Sequence, residues 1–275
     1  MKKPRKWLAT SAALFIIPAL AACSSSNGSD TGKQEQPKTE MSSKANTSSD
    51  RKSDQESKKS QTQNKEMPQA QVLQAIKKDL KTKIPIKLPT QLPVDEGKHL
   101  TAITSSGDTS YQIQFYETDT PVAVNDPSVP GKRKDAVKIA DMQVKKFDSV
   151  KKAQEQIGYQ NYSKIGGKKM DLGHGVSGYR DAGAGSANIG WNEGRWDLVS
   201  RARTNNAKAG EQLALKTVDY LEKHTLPAPN KYGSFHLDAE DKGTSWVLWQ
   251  DGDTVYNFNK VDDPMNLLAI VEEMK

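Results

Sequence analysis

Apolar side chains are spread unevenly along the chain. They run almost unbroken from Trp7 to Leu20, nearly vanish over residues 24–66, and then recur with the periods of helices and strands. The periodic part opens with Val72, Leu73, Ile76 and Leu80, whose spacing predicts a short amphipathic helix from about Pro68. Pro85, Pro89 and Pro93 follow, interleaved with Ile84, Ile86, Leu88, Leu92 and Val94. Proline lacks an amide proton and fixes φ, so this stretch reads as an extended arm lying over apolar surface. A proline-rich partner motif is the other reading, and the many aliphatic residues favour packing.

Beyond residue 99 the pattern turns to strands. Leu100–Thr104 and Tyr111–Tyr116 flank Ser105-Ser106-Gly107-Asp108, which predicts a hairpin. Residues 136–147 form a further strand candidate, after which Asp148 offers an N-cap to a helix carrying Val150, Ala153 and Ile157. A glycine-broken run of strands over 168–203 leads into a helix at about 209–224, with Leu213, Val218 and Leu221 inward. Strands near 234–238, 244–250 and 254–259 precede a last helix, which Asp263 caps and Pro264 starts.

Two segments look like copies. Trp191-Asn192-Glu193-Gly194 and Trp249-Gln250-Asp251-Gly252 each place a tryptophan before a Gly-containing turn, with Trp196 or Tyr256 following. The expected fold is α+β: an antiparallel sheet or sheets with helices packed on one face, built from degenerate ββα repeats. A third copy fits at 111–158. The predicted organisation is residues 1–22, then 23–66, then helix and arm over 67–98, then 99–275, which could divide near 165 or 230.

The aperiodic parts give an address. Lys2, Lys3, Arg5 and Lys6 precede an apolar run of 14 residues, too short for the roughly 20 of a spanning helix. Positive head and short run are those of a secretory signal peptide. Leu20-Ala21-Ala22-Cys23 resembles a bacterial lipobox, in which cleavage precedes the cysteine and its thiol takes a diacylglyceryl group. The chain has one cysteine, so an internal disulfide is impossible, and an ordinary signal peptide would leave Cys23 a spectator. Residues 24–66 bury too little to offset chain entropy and read as a disordered polar tether, roughly 35–40 Å long on average. Of the net charge of +6, residues 1–22 hold +4 and 24–66 hold +1, which leaves +1 for residues 67–275. A global basic footprint for nucleic acid is therefore missing.

Lipobox, polar tether, proline arm and W-x-x-G hairpins together resemble uncharacterised lipoproteins of Gram-positive bacteria. The last 40 residues, with Trp249, Gly252 and Tyr256, are similar to C-terminal domains of unknown function in such proteins. The resemblance implies a lipid anchor facing out of the cytoplasm, and no catalytic residues come with it.

Candidate chemistry is thin. Gly173-His174-Gly175-Val176-Ser177-Gly178 satisfies G-x-G-x-x-G, but the glycines that follow are poor helix material for a dinucleotide site. Tyr179 stands where a nucleophile elbow around Ser177 needs glycine. The four histidines, His99, His174, His224 and His236, show no metal-ligand spacing, and Asp251-Gly252-Asp253 reads as a turn. No cofactor and no metal are expected. The glycine-rich stretch 171–196 mixes His174, Tyr179, Arg180, Asp181, Glu193 and Arg195, a set suited to polar recognition, although hairpin turns alone account for its glycines. The leading expectation is a non-enzymatic, membrane-anchored envelope module that binds a partner protein or envelope component. A solute- or lipid-binding module with an apolar cavity and a cell-envelope hydrolase with an unidentified site are the alternatives.

Overall fold

A computed structural model describes residues 68–274. The expected signal peptide, Cys23 and tether lie outside the described residues. Five α-helices are described, α1 (Gln69–Asp79), α2 (Val150–Glu155), α3 (Tyr162–Ile165), α4 (Ala207–Leu221) and α5 (Pro264–Glu272). Ten strands form one sheet: β1 (His99–Gly107), β2 (Ser110–Thr118), β3 (Val137–Lys146), β4 (Lys168–Asp171), β5 (Ser177–Gly183), β6 (Ser186–Glu193), β7 (Trp196–Arg203), β8 (Gly233–Asp238), β9 (Ser245–Asp251) and β10 (Thr254–Val261). Their spatial order is β1-β2-β3-β10-β9-β8-β7-β6-β5-β4.

The sheet is mixed rather than antiparallel. β7 and β8 run parallel, Leu198 opposite Phe235, because α4 carries the chain back between them. That is one βαβ crossover in an otherwise antiparallel ladder. The closing contact is β3 with β10, where Met142 stands opposite Phe258.

Alternation decides which side chains build the core. Ala102, Ile113, Phe115, Met142, Phe258, Val247, Trp249, Phe235, Leu198 and Trp191 point to one face, where they join residues of α1, α4 and α5 in a continuous cluster. Its aromatic centre is Trp249, 5.0 Å from Tyr256 and 6.3 Å from Trp196. Gly233 lies flat against the Trp196 ring, where a Cβ would come within 2.2 Å. Trp191 and Trp249 are both core, 0% and 4% exposed. Trp191 stands opposite Leu198, however, whereas Trp249 stands opposite Tyr256, so Trp196 and Tyr256 occupy different places relative to their turns.

The proline arm packs as expected: Ile84 and Leu92 are buried, and the Lys87 backbone gives and receives hydrogen bonds at the Tyr111 hydroxyl. Its Lys87 pairs with Asp251 at 2.5 Å, and Asp253 pairs with Lys146, so the Asp251-Gly252-Asp253 turn serves structure. Gly252, at φ 62, takes the left-handed conformation that such a turn needs.

Helices do not keep to one face. Ala153 and Ile157, at α2 and just beyond it, pack on Val255 and Leu248, whose side chains point to the second face. Tyr162 of α3 lies on Gly190, where any Cβ would meet its ring at 2.2 Å. The cap of α2 is Ser149, which accepts from the Lys152 amide, while Asp148 pairs with the Lys152 ammonium at 2.6 Å. The β1–β2 turn sits at Asp108-Thr109, later than the predicted loop, because Ser105 and Ser106 still pair with Gln112 and Tyr111. Asp263 caps α5 as expected, accepting from the Met265 amide at 2.8 Å.

Candidate functional site

A surface groove follows from where α4 ends and the sheet continues. α4 covers β6 and β7 on the core face, and β5 and the β5–β6 turn extend past it. The uncovered sheet carries Ala182 and Ala187, register partners whose short side chains leave a space of about 670 Å³. Ile189 completes its floor, and Ala207, Lys208, Glu211, Gln212 and Leu215 of α4 form its wall.

Glu211, Leu215, Asp219 and Glu222 recur at helical spacing down one side of α4 and its C-cap. Opposite them stand Arg180 and His174 of the glycine-rich stretch. The Arg180 guanidinium lies 2.5 Å from Glu211, and His174 places Nε2 2.8 Å from Asp219 and Nδ1 3.9 Å from Glu222. These pairs are partly solvated, so each contributes at most about 1 kcal/mol and orients more than it stabilises. His174 reaches α4 from a tight turn in which it and both flanking glycines have positive φ. The next segment is β5 rather than a helix, which removes the phosphate-cradling geometry of a dinucleotide loop.

The outer rim of the groove is a strand edge. β4 pairs with β5 only over Ser177–Arg180, so Asp181–Gly183 have β6 on one side and no strand on the other. A partial edge beside an apolar floor can accept an extended chain through its free backbone groups.

Of the six residues singled out in the sequence, Arg180 and Asp181 line this groove, and His174 meets α4 beyond it, at Asp219. Glu193 lies near His174 and Glu222 and accepts from the Trp191 indole at 2.7 Å. Burial raises the Glu193 pKa, opposed by that hydrogen bond, and the Glu222 charge adds to the rise. Tyr179 projects from the opposite face of the sheet, beside Gly190. Arg195 donates to the carbonyls of Pro229 and Asn230, tying the start of β7 to the segment that enters β8. The α4 side of the groove was missed. Its signal was Leu215, an apolar residue outside the arc of Leu213 and Val218, which ends up 36% exposed.

A second feature lies on the other face. Asp197 of β7 is 2% exposed, beneath α3, and no donor meets its Oδ1. Burial pushes its carboxyl up to about 7, with Ser234, the Gln160 backbone and Tyr162 opposing the shift. Burial also raises the Tyr162 phenol, and the Asp197 charge adds to it. The carboxyl is enclosed, so its consequence falls on stability. Ser177 opens instead onto a shallow depression with Lys169, Met170, Asp171 and Gly175. The nearest histidine in sequence, His174, turns to Asp219.

Among the described residues no group of three or more His, Cys, Asp or Glu side chains is arranged to hold a metal ion. No helix among them is long and apolar enough to cross a membrane. No family model, curated protein or solved structure matches the chain.

Proposed function

We propose that the chain is a membrane-anchored extracytoplasmic lipoprotein whose sheet domain is a binding module. Cys23 carries the lipid, residues 24–66 are the tether, and the groove beside α4 receives an extended segment of an envelope protein. The anchor rests on the positively charged head, the 14-residue apolar run and Leu20-Ala21-Ala22-Cys23. The binding reading is carried by one observation, an apolar groove bordered by the unpaired edge of Asp181–Gly183. Backbone pairing along the edge supplies affinity, and a side chain over Ala182 and Ala187 supplies selectivity. The Arg180–Glu211 pair on the groove's lining favours a segment that also carries charge. The strand–strand–helix order at β6–β7–α4 and β9–β10–α5 supports a ββα duplication, which we include in the proposal.

A photo-crosslinking amino acid in place of Leu215 tests the site in native membranes. It should yield an adduct with a protein, and that adduct should vanish when Ala182→Arg fills the groove. Ala182 is exposed, so this substitution should leave folding within about 0.5 kcal/mol of the parent. An adduct insensitive to Ala182→Arg, or none, overturns the protein-binding reading. A lipid adduct would move the groove to the solute- or lipid-binding alternative, which its apolar floor also suits.

A further inference from the structure

The second face of the sheet carries a patch that neither the core nor the α4 groove uses. Besides α3 over Gly190 and Asp197, two covers lie on this face. Val122 and Val129, from the loop after β2, pack on Tyr116 and Ile103, and Ala153 and Ile157 pack on Val255 and Leu248. Register places two rows of side chains on the strands between and beside them. One runs Gln112, Gln143, Asn257 on β2, β3 and β10. The other runs Gln114, Asp141, Asn259, Trp246, His236 from β2 to β8.

The chemistry of these rows is unusual for a chain so rich in Lys and Asp. Their one charged member, Asp141, is buried and paired with Lys138 at 3.1 Å. The others are carboxamides and flat rings. Among the described residues, neither the Gln112 nor the Gln143 side chain hydrogen-bonds to protein, although their backbones pair in the ladder, and the Trp246 indole N–H has no protein acceptor. Asn259 donates to Asn257 at 2.7 Å, which leaves each amide one further group to offer. Trp246 and His236 lie 7° from coplanar with centroids 5.5 Å apart, both half-buried. Burial lowers the His236 pKa, which favours its neutral ring and leaves the paired Asp141 as the one charge in the rows.

Free carboxamides both donate and accept, as sugar hydroxyls do. An aromatic face suits the C–H side of a sugar ring, through dispersion and the negative ring quadrupole. From β2 to β8 the rows cross four strand intervals, roughly 19 Å. That is room for a short oligosaccharide. A nucleic acid would call for cations here, and a protein interface for an apolar centre.

We propose that this face binds a neutral glycan chain laid across β2, β3, β10 and β9, with Gln112, Gln143, Asn257 and Asn259 exchanging hydrogen bonds with its hydroxyls and Trp246 supporting a sugar ring. The site extends the binding-module reading but lies on the opposite face from the α4 groove, so the two stand or fall separately.

Calorimetric titration of the full chain with cellohexaose and with chitohexaose tests it. Saturable binding of at least one is expected. Gln143→Ala with Asn257→Ala should weaken it about tenfold or more, and so should Trp246→Ala. The amide pair is the decisive variant, because Gln143 is exposed and neither side chain supports the core. Ala182→Arg, in the α4 groove, should leave glycan binding unchanged. No heat with either hexasaccharide, or binding that survives the amide double substitution, overturns the proposal. Self-association abolished by Gln143→Arg would overturn it too, by assigning the face to a second copy of the chain.

Discussion

Asp197 turns a buried carboxyl into a measurable dependence of stability on pH. Its ordinary pKa of 3.8 is pushed up to about 7, chiefly by desolvation under α3. The folded state therefore holds a proton that the unfolded chain releases. Below pH 3.8 both states are protonated and the group is neutral in the balance. As pH rises from there to about 7, stability falls, and above 7 the full cost is present. At about 1.4 kcal/mol for each pH unit, the cost is about 4.5 kcal/mol, of which about 3 accrue above pH 5. This is a large share of the 5–15 kcal/mol typical of a domain. His236, held below the ordinary imidazole range by burial, acts in the opposite sense, since stability is lost as pH falls below 6.5. Subtracting one protein's profile from another's removes that contribution. Asp197→Asn keeps the shape and removes the titration. Denaturant unfolding of parent and variant between pH 5 and 8.5 should show the variant gaining about 3 kcal/mol on the parent across the range. Parallel profiles would refute the buried, raised carboxyl.

Three other outcomes follow from the packing and the tether. Trp249→Ala removes the centre of the aromatic cluster and should cost about 3–5 kcal/mol in denaturant unfolding; a loss below about 1 would contradict its burial. Gly190→Ala should drive Tyr162 off the sheet and cost about 1–3 kcal/mol, and combining it with Tyr162→Ala should recover most of that loss. Limited proteolysis should cut within 24–66 and leave a resistant core beginning near Met67, with the N-terminus of the core read by mass spectrometry. Protection of Lys44 or Lys52 would contradict the tether.

Much of the element order was legible because its signals are local. Asp263-Pro264 announces α5, and the alternation of Tyr111, Ile113 and Phe115 gives β2 its inward face. The parallel join of β7 and β8 was legible in principle, since a strand, a 15-residue helix and a strand in succession make a βαβ unit. The hairpin signals on either side drew the reading toward an antiparallel sheet. Pairing of β3 with β10 joins residues more than a hundred positions apart, and no local pattern specifies it. Asp197 shows a subtler failure. Between Trp196 and Leu198 it alternates as a solvent-facing residue should, and only α3, four residues long and without a clear period, buries it. Gly190 held the clue to that burial, because glycine inside a strand marks a close approach. The groove was half legible: the glycine-rich stretch pointed to Arg180 and Asp181, and to His174 beyond them, but the α4 residues that Arg180 and His174 meet look like an ordinary solvated helix face.

The anchor is the claim on which the account of function depends, and the membrane distribution of Cys23→Ala tests it most directly. In a bacterium that processes lipoproteins, the parent chain should fractionate with membranes. The variant should appear in the medium, or remain as a precursor of higher mass. A variant processed to the mature length and held in the membrane fraction like the parent would contradict the lipid anchor and the tethered module built on it.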